Sequence, residues 1–152
     1  MITEEEIPWD KNYSVGIKNI DTQHQKLFSI VNRLYLLEEN SKNLKEELRT
    51  ILHDFSDYTR THFQEEEDYM RSIGYDKLQE HIALHEELID YLNKIIKTPA
   101  NLNIIKAKIK VISKRALVHH IINEDIKIKH FLESKEIQIQ NSELEDITNF
   151  MS

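Results

Sequence analysis

Residues 58–69 read Tyr-Thr-Arg-Thr-His-Phe-Gln-Glu-Glu-Glu-Asp-Tyr and sit inside a longer apolar stripe, Leu48, Ile51, Leu52, Phe55, Tyr58, Tyr69 and Met70. That spacing is helical. His62 and Glu66 are four residues apart, so on an α-helix they stand only about 40° apart around the axis, stacked on the stripe itself. Two groups able to bind a metal therefore occupy positions that the periodicity assigns to the core. Asn43, with Glu46 three residues later, resembles a capping pair for the start of this helix, and Gly74 supplies its stop.

The same device recurs on either side. Between Asp21 and Asn40 the residues Leu27, Phe28, Val31, Leu34 and Tyr35 predict a first helix, with Asp21 as acceptor for its first-turn amides and His24 one turn before Phe28. After Gly74, Asp76 restarts the chain, and Leu78, Ile82, Leu88, Ile89, Leu92 and Ile95 predict a third helix that Pro99 ends; His81 and His85 lie on it, again four apart. From about Asn101 a fourth stripe runs through Ile105, Ile109, Ile112, Leu117, Ile121, Ile128 and Phe131, with His120 one turn beyond Ala116 and Asp125 five residues further on. Four amphipathic helices with short polar connections hide their stripes only against each other, and short loops force neighbours antiparallel. The expectation is an all-α fold, an up-down-up-down four-helix bundle over residues 21–133. Residues 1–20 form an arm whose segment Ile7 to Ile20 lacks helical period and packs across the bundle as an extended segment. Residues 134–152 form a tail, where Ile137 and Ile139 alternate and Ser142 with Glu145 suggests a short terminal helix.

Composition narrows the chemistry. A chain of 152 residues with 39% hydrophobic content suits one domain with its own core. Two glycines and two prolines leave little turn chemistry for a sheet. Cysteine is absent, so any metal must bind through His, Asp or Glu. A net charge of -7 disfavours nucleic acid and anionic membrane as partners. The acidic start Met1–Glu6 has neither the basic end nor the apolar run of a signal peptide, which predicts a soluble cytoplasmic protein.

The polar core positions fall early in the first helix, late in the second, early in the third and late in the fourth. Antiparallel packing brings those to one level. On an α-helix a spacing of five offsets His120 from Asp125 by about 140°, which demands a site broad enough to be approached from two directions, as a two-metal centre is. Five imidazoles, four oxygens of two bridging carboxylates and a shared solvent bridge fill about eleven of twelve places around two octahedral ions. Zinc prefers about four ligands, and calcium or magnesium prefers oxygen, so two iron ions bridged by an oxo or hydroxo group fit best. His53, His119 and His130 fall off the stripes, and of the run Glu65 to Asp68 only Glu66 points inward; the rest reads as a solvated face. A lone buried histidine is more often a hydrogen-bonded core residue than a ligand, so the weight rests on the four elements together.

In these residues the chain resembles the hemerythrins, in particular single-domain bacterial hemerythrins. The likeness spans Ile7 to Phe131: Pro8-Trp9-Asp10 with Tyr13-Ser14-Val15-Gly16-Ile17, Ile20-Asp21-x-x-His24, His62-x-x-x-Glu66, His81-x-x-x-His85 and His120-x-x-x-x-Asp125. The resemblance implies that His81, His85 and His120 bind a filled iron, His24 and His62 bind the iron with a free place, and Glu66 and Asp125 bridge. It further implies a non-enzyme that binds dioxygen reversibly as carrier, store or sensor, with any consuming or signalling protein partner unknown. Many family members carry Trp where this chain has Ala116. Apolar residues a turn from the ligands, Phe28, Leu88, Ile89, Leu117 and Ile121, are candidate pocket walls. The alternatives are a di-iron oxidase or peroxidase, or an iron- or nitric-oxide-handling protein on the same fold. Oxidase sites are richer in carboxylate and use paired Glu-x-x-His elements, which the second, third and fourth predicted helices lack.

Overall fold

Each predicted stripe folds as a helix, and the computed structural model describes residues 7–137. Ile139 and the Ser142–Glu145 capping box of the expected tail lie outside the described residues. The helices are α1 (Lys18–Tyr35), α2 (Leu44–Ser72), α3 (Leu78–Lys97) and α4 (Leu102–Ser113). Beyond α4 the chain stays helical through two π-helical turns, Lys114–His119 and Ile121–Asp125, and then through residues 126–137. Each helix packs on its chain neighbours and α4 closes against α1, giving the four-helix bundle. No helix among the described residues is long and apolar enough to cross a membrane.

The ends of the helices show which local signals decide them. Asn101 caps α4 as its side chain accepts from the Ile104 amide at 3.0 Å. Gly74 ends α2 with φ 68°: the Tyr75 amide reaches Met70 O at 2.9 Å and the Gly74 amide reaches Arg71 O at 3.2 Å, a Schellman pair in which Met70 and Tyr75 also pack together. Two expected caps are corrected. Asn43 does precede α2, but it adopts a left-handed φ of 55°, from which its side chain makes no capping bond. Asp21 lies inside α1, which begins at Lys18 and ends at Tyr35 rather than Asn40. Its carboxylate turns back to the arm, accepting from Ser14 Oγ at 2.6 Å and the Val15 amide at 2.8 Å. A carboxylate satisfied by the arm is not free to cap a helix.

The arm is extended apart from one 3₁₀ turn, Lys11–Tyr13, capped by Asp10. Asn32 of α1 holds Ile7 at both its amide and its carbonyl, each at 2.8 Å. Trp9 and Tyr13 pack on Phe28 with ring centroids 5.5 and 5.7 Å away. The main core includes Phe28, Leu34, Phe55, Leu92 and Ile109, while Met70, Tyr75 and Ile128 form a smaller one. Along α2, His62 and Glu66 stand between Phe55 of the first core and Met70 of the second. The polar cluster thus lies in the interior, where leaving its groups unsatisfied is costly.

Candidate metal centre

Seven side chains named from the sequence converge here, and the most exposed, His120, keeps only 6% of its surface. Their ligand atoms form two overlapping sets, Glu66, His81, His85, His120 and Asp125 in one and His24, His62, Glu66 and Asp125 in the other, each within 4.8 Å. In the first set His81 Nε2 is 2.9 Å from both Glu66 Oε1 and Asp125 Oδ1. His85 Nε2 lies 3.1 Å from Glu66 Oε1, and His120 Nε2 lies 3.0 Å from Asp125 Oδ1 and 3.1 Å from the Nε2 atoms of His81 and His85. Ligands at right angles on a metal with bonds of about 2.1 Å are about 3.0 Å apart, so these separations match the edges of an octahedron. In the second set His24 Nε2 stands 3.1 Å from Asp125 Oδ2 and 3.6 Å from Glu66 Oε2, and His62 Nε2 is 3.3 Å from Glu66 Oε2. Each carboxylate gives one oxygen to each set.

The five-residue spacing of His120 and Asp125 is met differently from the α-helical expectation. The His120 amide bonds to Arg115 O and the Ile126 amide to Ile121 O, both i→i−5. A π turn closes over five residues, so His120 and Asp125 share a face, and the 140° divergence does not arise.

In the second set this close approach is not hydrogen bonding. His24 Nε2, His62 Nε2, Glu66 Oε2 and Asp125 Oδ2, the whole second set, are buried without a hydrogen-bond partner, and so is Asp125 Oδ1. Buried polar atoms are almost always paired, and lone pairs that meet without donors fit a cation. Without one, protons take its place. Burial lowers the His24 and His81 pKa values, but the carboxylates of Asp125 and Glu66 outweigh it and raise them to about 9 and about 10. Burial pushes Glu66 up, yet the four histidines around it hold it well below the ordinary range; Asp125, despite burial and the Glu66 charge, is likewise lowered by His120 and His24.

The family model for the hemerythrin HHE cation binding domain matches residues 15–132. The chain belongs to the hemerythrin family. The bacteriohemerythrin of Campylobacter jejuni subsp. jejuni is 31% identical over 127 residues, covering 83% of this chain and 95% of that protein. That of Clostridium acetobutylicum is 39% identical over 83 residues, 53% of this chain and 64% of that protein. A hemerythrin-like protein of Naegleria gruberi is 31% identical over 125 residues, 82% of this chain and 92% of that protein.

Around this hemerythrin cluster stand residues that periodicity does not single out. Glu67 Oε2 is 2.7 Å from His85 Nδ1, so the inward run is not confined to Glu66. Gln23 Oε1 lies 2.6 Å from His62 Nδ1, and the Gln23 amide donates to Glu65. Phe63 stacks flat on His85, with centroids 3.8 Å apart and planes at 4°. Cα periodicity tells which face a residue starts from, whereas these side chains reach around the axis; for Gln23 and Glu67 the available signal was a long polar residue adjacent in sequence to a member of the cluster. His53, His119 and His130 are exposed, as expected. A cleft of about 410 Å³ between α3 and the π-helical segment, lined by Leu84, Leu88, Tyr91 and Arg115, has His120 among its walls. Among the candidate pocket walls Phe28, Leu117 and Ile121 are buried, and Leu88 and Ile89 are half-buried.

Proposed function

We propose that this protein holds two iron ions and binds dioxygen reversibly there, as an oxygen carrier, store or sensor and not as an enzyme. One observation carries the reading: two sets of buried ligand atoms, five and four in number, share the two carboxylates and leave the second set entirely without hydrogen bonds. His81, His85 and His120 with Glu66 Oε1 and Asp125 Oδ1 would hold one ion; His24 and His62 with Glu66 Oε2 and Asp125 Oδ2 would hold the other. With one solvent bridge counted at each ion, eleven of twelve octahedral places would be filled, and the open one would belong to the second set. Iron is preferred because imidazole outnumbers carboxylate and the first set's carboxylate–imidazole spacings, 2.9 to 3.1 Å, match octahedral rather than tetrahedral edges. Membership of a cation-binding family and likeness to bacteriohemerythrins support this choice.

A ferrous pair held by these residues would supply dioxygen with two electrons and an open place, the electrons returning to the iron when the gas leaves. The chain's part is to keep that exchange reversible. His24, His62, Glu66 and Asp125 are at most 1% exposed, which excludes bulk water from the second set. Glu66 and Asp125 stay ionised well below neutral pH, so neither presents an acid proton that would drive reduced oxygen out. Phe28, a turn from His24, and Leu117 and Ile121, within a turn of His120, are buried apolar side chains and bring no proton donors. An oxidase needs the opposite: protons delivered and carboxylates enough to support higher oxidation states.

The test is loading and optical. Protein reconstituted with ferrous iron under inert gas should take up two ions per chain, gain a visible charge-transfer band in air and lose it when the oxygen is removed. Fewer than two ions per chain would end the di-iron reading. A ferric spectrum that persists after degassing would make the protein an oxidase.

A further inference from the structure

We propose that Glu67 and Gln23 are positioning residues that make the two ions unequal, Glu67 placing a carboxylate charge directly behind His85 while Gln23 places a neutral amide behind His62. The inference rests on the di-iron reading. Glu67 and Phe63, one turn apart on α2, grip the same imidazole: Phe63 covers its face at 3.8 Å and Glu67 Oε2 takes the Nδ1 hydrogen at 2.7 Å. With Nδ1 donating, the His85 Nε2 lone pair points to Glu66 Oε1 and the first set. A carboxylate that accepts this hydrogen strengthens the ring as an electron donor.

His62 meets the same need by another route. Glu65 can only accept, so the Gln23 amide nitrogen faces it, Gln23 Oε1 faces His62, and His62 Nδ1 is the donor at 2.6 Å. The acid thus acts on His62 at one remove. Screening widens the gap, since the Glu67 side chain is 15% exposed, whereas Glu65 is exposed to solvent. Three consecutive glutamates hence divide the work: Glu65 orients Gln23, Glu66 joins both sets, Glu67 charges His85. The higher oxidation state is favoured at the ion of His81, His85 and His120, which gives up its electron first when the ferrous pair is oxidised by one electron.

The experiment is a one-electron titration of iron-loaded protein against a poised electrode, ferrous to ferric, with the electron passing to the electrode. Glu67→Gln keeps the shape and removes the charge. It should leave iron content unchanged and shift the first equilibrium toward ferrous on the order of tenfold, an upward move of about 59 mV. The double exchange Gln23→Glu with Glu65→Gln keeps the hydrogen bonds but brings the charge against His62, and should lower the second midpoint by a comparable amount. Midpoints unmoved in both variants at full iron content would overturn the proposal. So would iron loss in Glu67→Gln and Glu67→Ala alike with the remaining iron titrating as wild type, because that marks a merely structural role. Wild-type protein taking up fewer than two irons would remove the di-iron reading and this inference with it.

Discussion

His119 and His120 are neighbours in sequence with opposite fates, and the difference is purely one of helical direction. His120 is 6% exposed and touches three ligand atoms of the first set, while His119 is exposed on the rim of the cleft. His120→Ala should therefore abolish or halve iron uptake, and His119→Ala should retain it; metal analysis of both variants checks this, and the reverse pattern would overturn the roles given to the pair. All seven members of the buried cluster were legible because each is a polar residue at a position the periodicity assigns to the core, and a core has few reasons to tolerate one. Gln23, Glu67 and Phe63 were not legible. Each is next to a ligand in sequence and so starts about 100° away from it around the helix, and only side-chain length and rotamer bring it back. Periodicity carries no information on either.

The π turns show where sequence reading meets its limit at the level of a helix. A spacing of five between His120 and Asp125 has two solutions: keep the α-helix and diverge, or widen the turn and converge. Nothing in the residue types chooses between them, and the cluster decides for the wider turn. This makes a prediction about length rather than chemistry. Deleting the exposed Asn123 leaves His120 and Asp125 four apart, about 40° around an α-helix, so iron binding should survive as the turn rewinds. Inserting one alanine after Asn123 puts them six apart, about 120° away from a shared face, and should lose the ion pair. Iron stoichiometry and circular dichroism of the two variants read the outcome, and loss in the deletion with retention in the insertion would refute it. The N-terminal arm makes a second case. Its lack of helical period was readable, but its anchor was not, since Asp21 looks like a cap in sequence and serves instead as acceptor for Ser14 and Val15. Asp21→Ala leaves the Val15 amide without its partner and should cost about 2 kcal/mol. For a chain of this size that lowers Tm by roughly 4–8 °C. A calorimetric Tm equal to wild type would show that the arm is held elsewhere.

For the molecule as a whole, stability and iron binding are joined through protons. The bundle was legible in outline from four stripes and short connections, yet the cluster at its centre is stabilising only if its two carboxylates are neutralised, by cations or by protons. In protein stripped of iron the proton takes that part. His24 and His81 have pKa values raised from 6.5 to about 9 and about 10, so their contribution to stability is complete below pH 6.5 and is lost as pH rises through those values. Glu66 and Asp125 are lowered from 4.5 and 3.8, so theirs is present above those values and lost as pH falls beneath them. Stripped protein is thus expected to be most stable between about pH 4.5 and 6.5 and to weaken steadily from there to pH 10. Loaded protein behaves in the opposite sense over the upper range, because iron takes imidazoles without their protons and its affinity grows as those protons become easier to remove. The gap in Tm between loaded and stripped protein should therefore widen from pH 6.5 to 9, with protons released to the buffer on loading at pH 7. Thermal scans with and without a chelator, together with calorimetry in buffers of different ionisation heat, measure both quantities. A stripped protein whose Tm stays level or rises between pH 6.5 and 9, or loading without proton release, would mean that the buried imidazoles were neutral from the start and that something other than Glu66 and Asp125 balances the site.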